Sequence, residues 1–207
     1  MIPTIKTWQT PASDYPEISV GKAQLKSIRY NGAYKCFKQR DIQIYRASKL
    51  QIKALTIDDK ICMVDDPPHW WAIEEHATFY QGHVLVAGLG LGLIVHTLTA
   101  NTEVKHITVI EKEQDVIDLI SPFIPHDKLT IKLGDFWDWD GDPQTIDGVF
   151  YDLFVGNGVE LQFEAINVYV RLAQRFKRPI RIHGFDNKFL DKIGICMDQN
   201  DKILHRK

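Results

Sequence analysis

An apolar run, Val84-Leu85-Val86-Ala87, breaks into Gly88-Leu89-Gly90-Leu91-Gly92, and a second apolar run, Ile107-Thr108-Val109-Ile110, ends on Glu111. No other feature of the chain restricts its fold so strongly. Strand, glycine turn, helix, strand and acid, in that order, describe a βαβ unit. Its glycines let the backbone approach a ligand, and its carboxylate accepts hydrogen bonds from ribose hydroxyls. The spacing narrows the ligand further. A dinucleotide fingerprint reads G-x-G-x-x-G, or ends in alanine. Here Leu93 holds that last position, and the third glycine comes one residue early, at Gly92. No Gly-Lys-Ser/Thr follows, so there is no phosphate loop. A G-x-G-x-G loop with an acid after the next strand fits an adenosyl ligand without a pyrophosphate. The competing reading is a tight strand-to-helix turn that holds nothing.

The alternation continues downstream. Hydrophobic patterning predicts strands over 83–88, 106–110, 129–133, 147–151 and 179–184. Helices are predicted over 69–81, 91–100, 113–121 and 160–176, the first opened by Pro67-Pro68 and the third stopped by Pro122. Repeated strand-then-helix order argues an α/β fold with a Rossmann-like parallel sheet. Residues 1–21, with Pro3, Pro11 and Pro16, read as an extended arm. From Ala23 to Val64 the pattern has period two, with strands over 25–30, 34–38 and 42–46 and a hairpin of 52–57 with 60–64. The expected organisation is therefore an arm and small antiparallel β unit, 1–66, followed by a nucleoside-binding domain, 67–207. Ile193–Met197 and Lys202–His205 suggest a closing hairpin.

Ligands of an open parallel sheet sit beyond the carboxyl ends of its strands. Gly88, Leu89, Gly90 and Gly92 follow the first strand, Glu111 and Lys112 the second, Asp135 and Phe136 the third, and Asp152 the fourth. In this reading Glu111 holds the ribose diol and Asp135 accepts from the adenine amino group. Phe136 or Ile110 packs on the ring. Asp152 faces the reacting end as a base for an attacking amine, or only orients the ligand. Ahead of the first sheet strand, Asp65, Trp71 and Glu75 are candidate acceptor contacts. Asp66-Pro67-Pro68-His69 admits two readings: the start of a helix, or the (Asp/Asn)-Pro-Pro-aromatic grip of amino-methyltransferases, with His in the aromatic place.

Val109-Ile110-Glu111-Lys112-Glu113-Gln114-Asp115-Val116-Ile117, running on to Phe123-Ile124-Pro125, resembles the corresponding stretch of spermidine synthases. Gly134-Asp135-Phe136 is similar to that family's adenine loop, and Asp147-Gly148-Val149-Phe150-Tyr151-Asp152 to the strand that ends on its catalytic aspartate. The resemblance spans roughly residues 50–155, and its motifs are shared with the wider class I S-adenosylmethionine-dependent methyltransferases. It implies that fold, with a small N-terminal β unit and S-adenosylmethionine or its decarboxylated form as cofactor. The chain departs from the aminopropyltransferases at Gly88–Gly92, which lacks their loop aspartate. It departs again at Leu153-Phe154-Val155-Gly156-Asn157-Gly158 and at Trp70–His76. Methyl transfer to an unidentified acceptor is thus favoured over aminopropyl transfer to a polyamine. A non-catalytic nucleoside-binding scaffold is the reading from outside the enzymes.

Charge bears on the partner. Lys22, Lys26, Arg29, Lys35, Lys38, Arg40, Arg46, Lys49 and Lys53 face Asp41 alone over 22–53, whereas 54–160 is rich in carboxylates. An acidic site favours a cationic small-molecule acceptor. The basic stretch is a candidate contact for nucleic acid, unless the two regions neutralise each other. A homodimer through the β units is a further expectation. Cys36, Cys62 and Cys196 form no C-x-x-C pair and the histidines no H-E-x-x-H, so reduced thiols and no metal are expected. With no apolar stretch of membrane-spanning length and no secretory pattern at residue 1, the expected setting is cytoplasmic, away from membranes.

Overall fold

The structure is a computed structural model that describes residues 4–38, 41–153, 159–176, 180–184, 195–197 and 203–205. Five short-range strands build the first sheet: β1 (Thr4–Ile5), β2 (Ile18–Val20), β3 (Ala23–Lys38), β4 (Asp41–Ile57) and β5 (Lys60–Val64). Their order is β1-β4-β3-β2, with β5 also paired to β4. All pairs are antiparallel except β1 with β4, so the sheet is mixed. Four expected short strands merge into two long ones, because β3 and β4 pair from Ala23↔Ile57 to Lys38↔Asp41 and absorb Asn31-Gly32 as a register shift. Asp58 and Asp59 turn β4 into β5 with φ of 49° and 60°. This is the double left-handed geometry that a two-residue hairpin needs and that Asp tolerates.

Residues 4–21 do not stand off as an extended arm. Ile18–Val20 pairs with β3, and Ala12 and Tyr15 are buried. A polar staple holds the segment down. The Trp8 indole donates to the Asp65 carbonyl at 2.7 Å, and the Thr10 hydroxyl donates to the Asp65 carboxylate.

The second sheet holds β6 (Gly82–Ala87), β7 (Val104–Glu111), β8 (Leu129–Leu133), β9 (Gly148–Tyr151) and β10 (Arg181–Gly184), all parallel, in the order β10-β9-β6-β7-β8. This is the doubly wound α/β arrangement, and its switch point lies between β6 and β9, where the chain turns from one side of β6 to the other. Val84, Leu85, Val86 and Ala87 are fully buried, as a central parallel strand covered on both faces requires. Helices α1 (Pro67–Ala77), α2 (Leu93–Ala100) and α3 (Gln114–Ile120) pack on one face, and α4 (Val159–Arg175) on the other. The β8–β9 crossover has two single 3-10 turns, Phe136–Asp138 and Pro143–Thr145, where a helix is usual. Trp139 fills that space against Phe176.

Helix α1 begins where the proline signal places it. Asp66 is its N-cap and accepts from the His69 N–H at 3.2 Å. It ends four residues before the expected Gln81, where Asn101 Nδ2 donates to the carbonyls of Ala77 and Tyr80 at 3.0 Å each. One core cluster joins the two sheets. It contains Ala23, Leu25 and Leu55 of the small sheet, Val84 and Val86 of the large one, and Ile94 of α2 with Val116 and Leu119 of α3. The basic and acidic regions also meet, through Lys22 and Glu113 at 2.6 Å. At the C-terminus, β11 (Ile195–Met197) and β12 (Ile203–His205) form the expected antiparallel pair, and the segment between them lies outside the described residues. Among the described residues no helix is long and apolar enough to cross a membrane.

Candidate functional site

A cavity of about 450 Å³ opens where the carboxyl ends of β6, β7, β8 and β9 meet the underside of the small sheet. This is the crevice that a doubly wound sheet leaves at its switch point. Gly88, Gly90 and Gly92 have φ of 88°, 53° and 71°, a left-handed run that only glycine adopts without strain. The strand ends are pinned to one another. Gly88 N–H donates to the Ile110 carbonyl at 2.9 Å, Gly134 N–H to the Glu111 carbonyl at 2.9 Å, and Asp152 N–H to the Ala87 carbonyl at 3.2 Å. A Cβ on Gly88 would lie 3.1 Å from the Asp152 carbonyl, so the glycine lets the two strand ends close up.

Glu111 is 7% exposed. Its Oε2 accepts from the Leu89 N–H at 2.7 Å and its Oε1 from the Glu113 N–H at 3.0 Å. The glycine loop therefore orients the carboxylate. An ionised carboxylate has about four acceptor positions, so each oxygen keeps capacity for a ligand hydroxyl. Asp135 caps the Phe136–Asp138 turn through the Trp137 N–H at 2.8 Å. That turn buries Phe136, whose ring meets Trp137 edge-on at 5.4 Å.

Nine of the residues singled out in the sequence line this one cavity: Gly88, Leu89, Gly90, Ile110, Glu111, Lys112, Asp135, Phe136 and Asp152. Gly92, Asp65, Trp71 and Glu75 lie outside its lining, as do Asp66 and His69. Gly92 starts α2, and a Cβ there would overlap Ile124, so its smallness serves packing. Asp65 is fully buried. Its carboxylate takes the Thr10 hydroxyl and, at 2.5 Å, the Lys53 N–H, and burial raises its pKa. Trp71 packs edge-on against Trp8 at 5.6 Å. Glu75 is half-buried on α1.

Sequence reading missed the roof. Leu55, Ile57, Asp58, Lys60, Cys62 and Met63 of the small sheet, with Ile73 of α1, close the cavity from above. Nothing in a period-two pattern announces which strand overhangs a site built by other strands. Sequence reading placed His69 only in a helix start or an amine-gripping motif, and not as the partner of Asp66. This imidazole sits one turn before Ile73, its Nδ1 2.5 Å from Asp66 Oδ1. Burial works against its protonation. The hydrogen bond to Asp66 and the charges of Asp66, Asp152 and Asp65 outweigh burial and raise its pKa. His69 thus lies within electrostatic reach of Asp152. The lining carries Asp58, Glu111, Glu113, Asp135 and Asp152 against Lys60 and Lys112, a balance that suits a cationic ligand.

Fold and cavity together define a doubly wound α/β protein with a nucleoside-sized crevice. No family model matches the chain, and no curated protein does. Solved structures do match. One is a complex between the Haloferax volcanii Trm112 methyltransferase activator and a candidate methyltransferase, with 19% identity, a TM-score of 0.35, and coverage of 40% of this chain and 39% of that one. Another is a candidate S-adenosyl-L-methionine-dependent methyltransferase from Methanococcus maripaludis, with 15% identity, a TM-score of 0.39, and coverage of 60% and 62%. The chain spans less than two thirds of either.

Proposed function

We propose that this protein is an S-adenosylmethionine-dependent transferase that moves the sulfonium methyl group to a small, cationic acceptor. One observation carries the reading: the glycine loop, Glu111, Asp135 with Phe136, and Asp152 come from four different strand ends and line a single cavity. Glu111 would hold the ribose diol, and Asp135 and Phe136 the adenine. The ligand's 5′ side then runs along Gly88–Gly90 toward Asp152 and His69. Bound S-adenosylmethionine would supply the methyl group from its sulfonium; the cavity would hold a deprotonated acceptor nitrogen in line with it, and positioning would supply much of the rate. Asp152 would first take the proton that a cationic acceptor nitrogen must give up to free its lone pair. Aminopropyl transfer from the decarboxylated donor is the second reading. The carboxylate-rich lining, Asp152 in particular, favours it.

Calorimetric titration with S-adenosylmethionine and with its decarboxylated form tests both. The expected result is tighter binding of the carboxylated ligand. Glu111→Ala should weaken it by about ten- to a hundredfold, as the loss of charge-assisted hydrogen bonds of about 1.5–3 kcal/mol predicts. Preference for the decarboxylated ligand would transfer the assignment to polyamine chemistry. If neither ligand bound, the crevice would be a turn and a cavity with no adenosyl function.

A further inference from the structure

Most backbone N–H groups of the glycine loop are engaged within the fold. Gly88 donates to Ile110, Leu89 to Glu111, and Gly92 to the Leu89 carbonyl at 2.9 Å. Leu91 is different. Its N–H donates to the thioether of Met63, 3.2 Å away, at the end of β5 in the other sheet. The contact is built into the loop, because a Cβ on Gly90 would overlap the same sulfur. Met63 also lines the cavity, among Leu55, Ile73, Ile94 and Phe150. The Gly88–Gly90 course proposed for the 5′ side passes Met63, whose sulfur a Cβ on Gly90 would meet. A thioether is a weak acceptor, and a hydrogen bond to a carboxylate is about twice as strong as a neutral one. The methionine side chain has three rotatable bonds with which to yield.

We propose that Met63 sets how the site discriminates at the tail of an adenosyl ligand: it occupies the Leu91 N–H that an α-carboxylate would otherwise take. Ligands with an amino-acid tail bind in competition with the sulfur, and ligands without a carboxylate bind beside it. The inference rests on the adenosyl reading of the cavity.

The test is titration of the full chain with S-adenosylhomocysteine, which carries the carboxylate, and with 5′-methylthioadenosine, which does not. Met63→Leu conserves the volume of the wall and removes only the sulfur acceptor. It should tighten S-adenosylhomocysteine by about fivefold relative to 5′-methylthioadenosine, the equivalent of one ordinary hydrogen bond. Met63→Ala should shift the ratio the same way. An unchanged ratio in both variants overturns the inference and leaves the adenosyl reading standing, and so does an equal change for the two ligands. No binding of either ligand by the unaltered chain overturns both.

Discussion

Gly88 shows how much one residue decides here. Its φ of 88° and the Asp152 carbonyl at 3.1 Å from a built Cβ leave a side chain neither conformation nor room. Gly88→Ala should lower stability by about 1–3 kcal/mol. Denaturant titration would register this as a lower midpoint with an unchanged slope. Asp65→Ala acts at the junction of β5 and α1. It leaves the buried Lys53 N–H without its acceptor, at about 1–3 kcal/mol, and costs the Thr10 hydroxyl its carboxylate partner, which a lower denaturant midpoint would register. That Glu111, Asp135 and Asp152 would share one edge was legible, because a parallel sheet sends the residues at its strand ends to the same side. Met63 was not, and for His69 the sequence left a helix start and an amine grip both open. Each arrives from an element whose own pattern says only strand or helix start.

Among the elements, β10 carries the clearest pH dependence. His183 stacks on His76 at 5.1 Å and touches Phe79 and Tyr80. Burial, with the charges of His76 and Arg181, holds its pKa down at about 3, against 6.5 when unfolded. A depressed folded pKa means that the unfolded chain binds the proton first. Stability from this group is therefore complete above pH 6.5 and falls as pH drops toward 3, by up to about 1.4 kcal/mol per pH unit. Thermal melts of His183→Phe should show a flatter pH dependence across that window. The start of α1 has the opposite sign. The raised pKa of His69 makes its pairing with Asp66 fully stabilising below pH 6.5 and lost as pH rises through the folded value. The melting difference between the unaltered chain and His69→Ala should accordingly shrink on alkalinisation. The β3–β4 hairpin explains why the period-two stretch was read as shorter pieces. Asn31-Gly32 looks like a turn locally, yet cross-strand pairing carries the ladder through it as a register shift.

At the scale of the molecule, one apolar cluster runs through both sheets. Neither sheet can lose its partner without exposing core, so heat or denaturant should unfold the chain in one transition. Tryptophan fluorescence and far-ultraviolet circular dichroism should give coincident curves. Separate transitions would mean that the small sheet opens independently. The same shared core places β5 over the glycine loop, and thereby makes the cavity a product of two sheets. The order of apolar runs, glycines and acids was enough to determine the parallel sheet, its ligand edge and the residues along that edge, because these follow from backbone geometry and strand periodicity within short stretches. Only the tertiary structure decided that residues 4–20 are stapled down, that Asp65 is consumed inside, that Met63 lines the cavity and that His69 comes within electrostatic reach of Asp152. Those facts depend on contacts between segments far apart in the chain, and a local pattern carries no record of which distant surface it will meet.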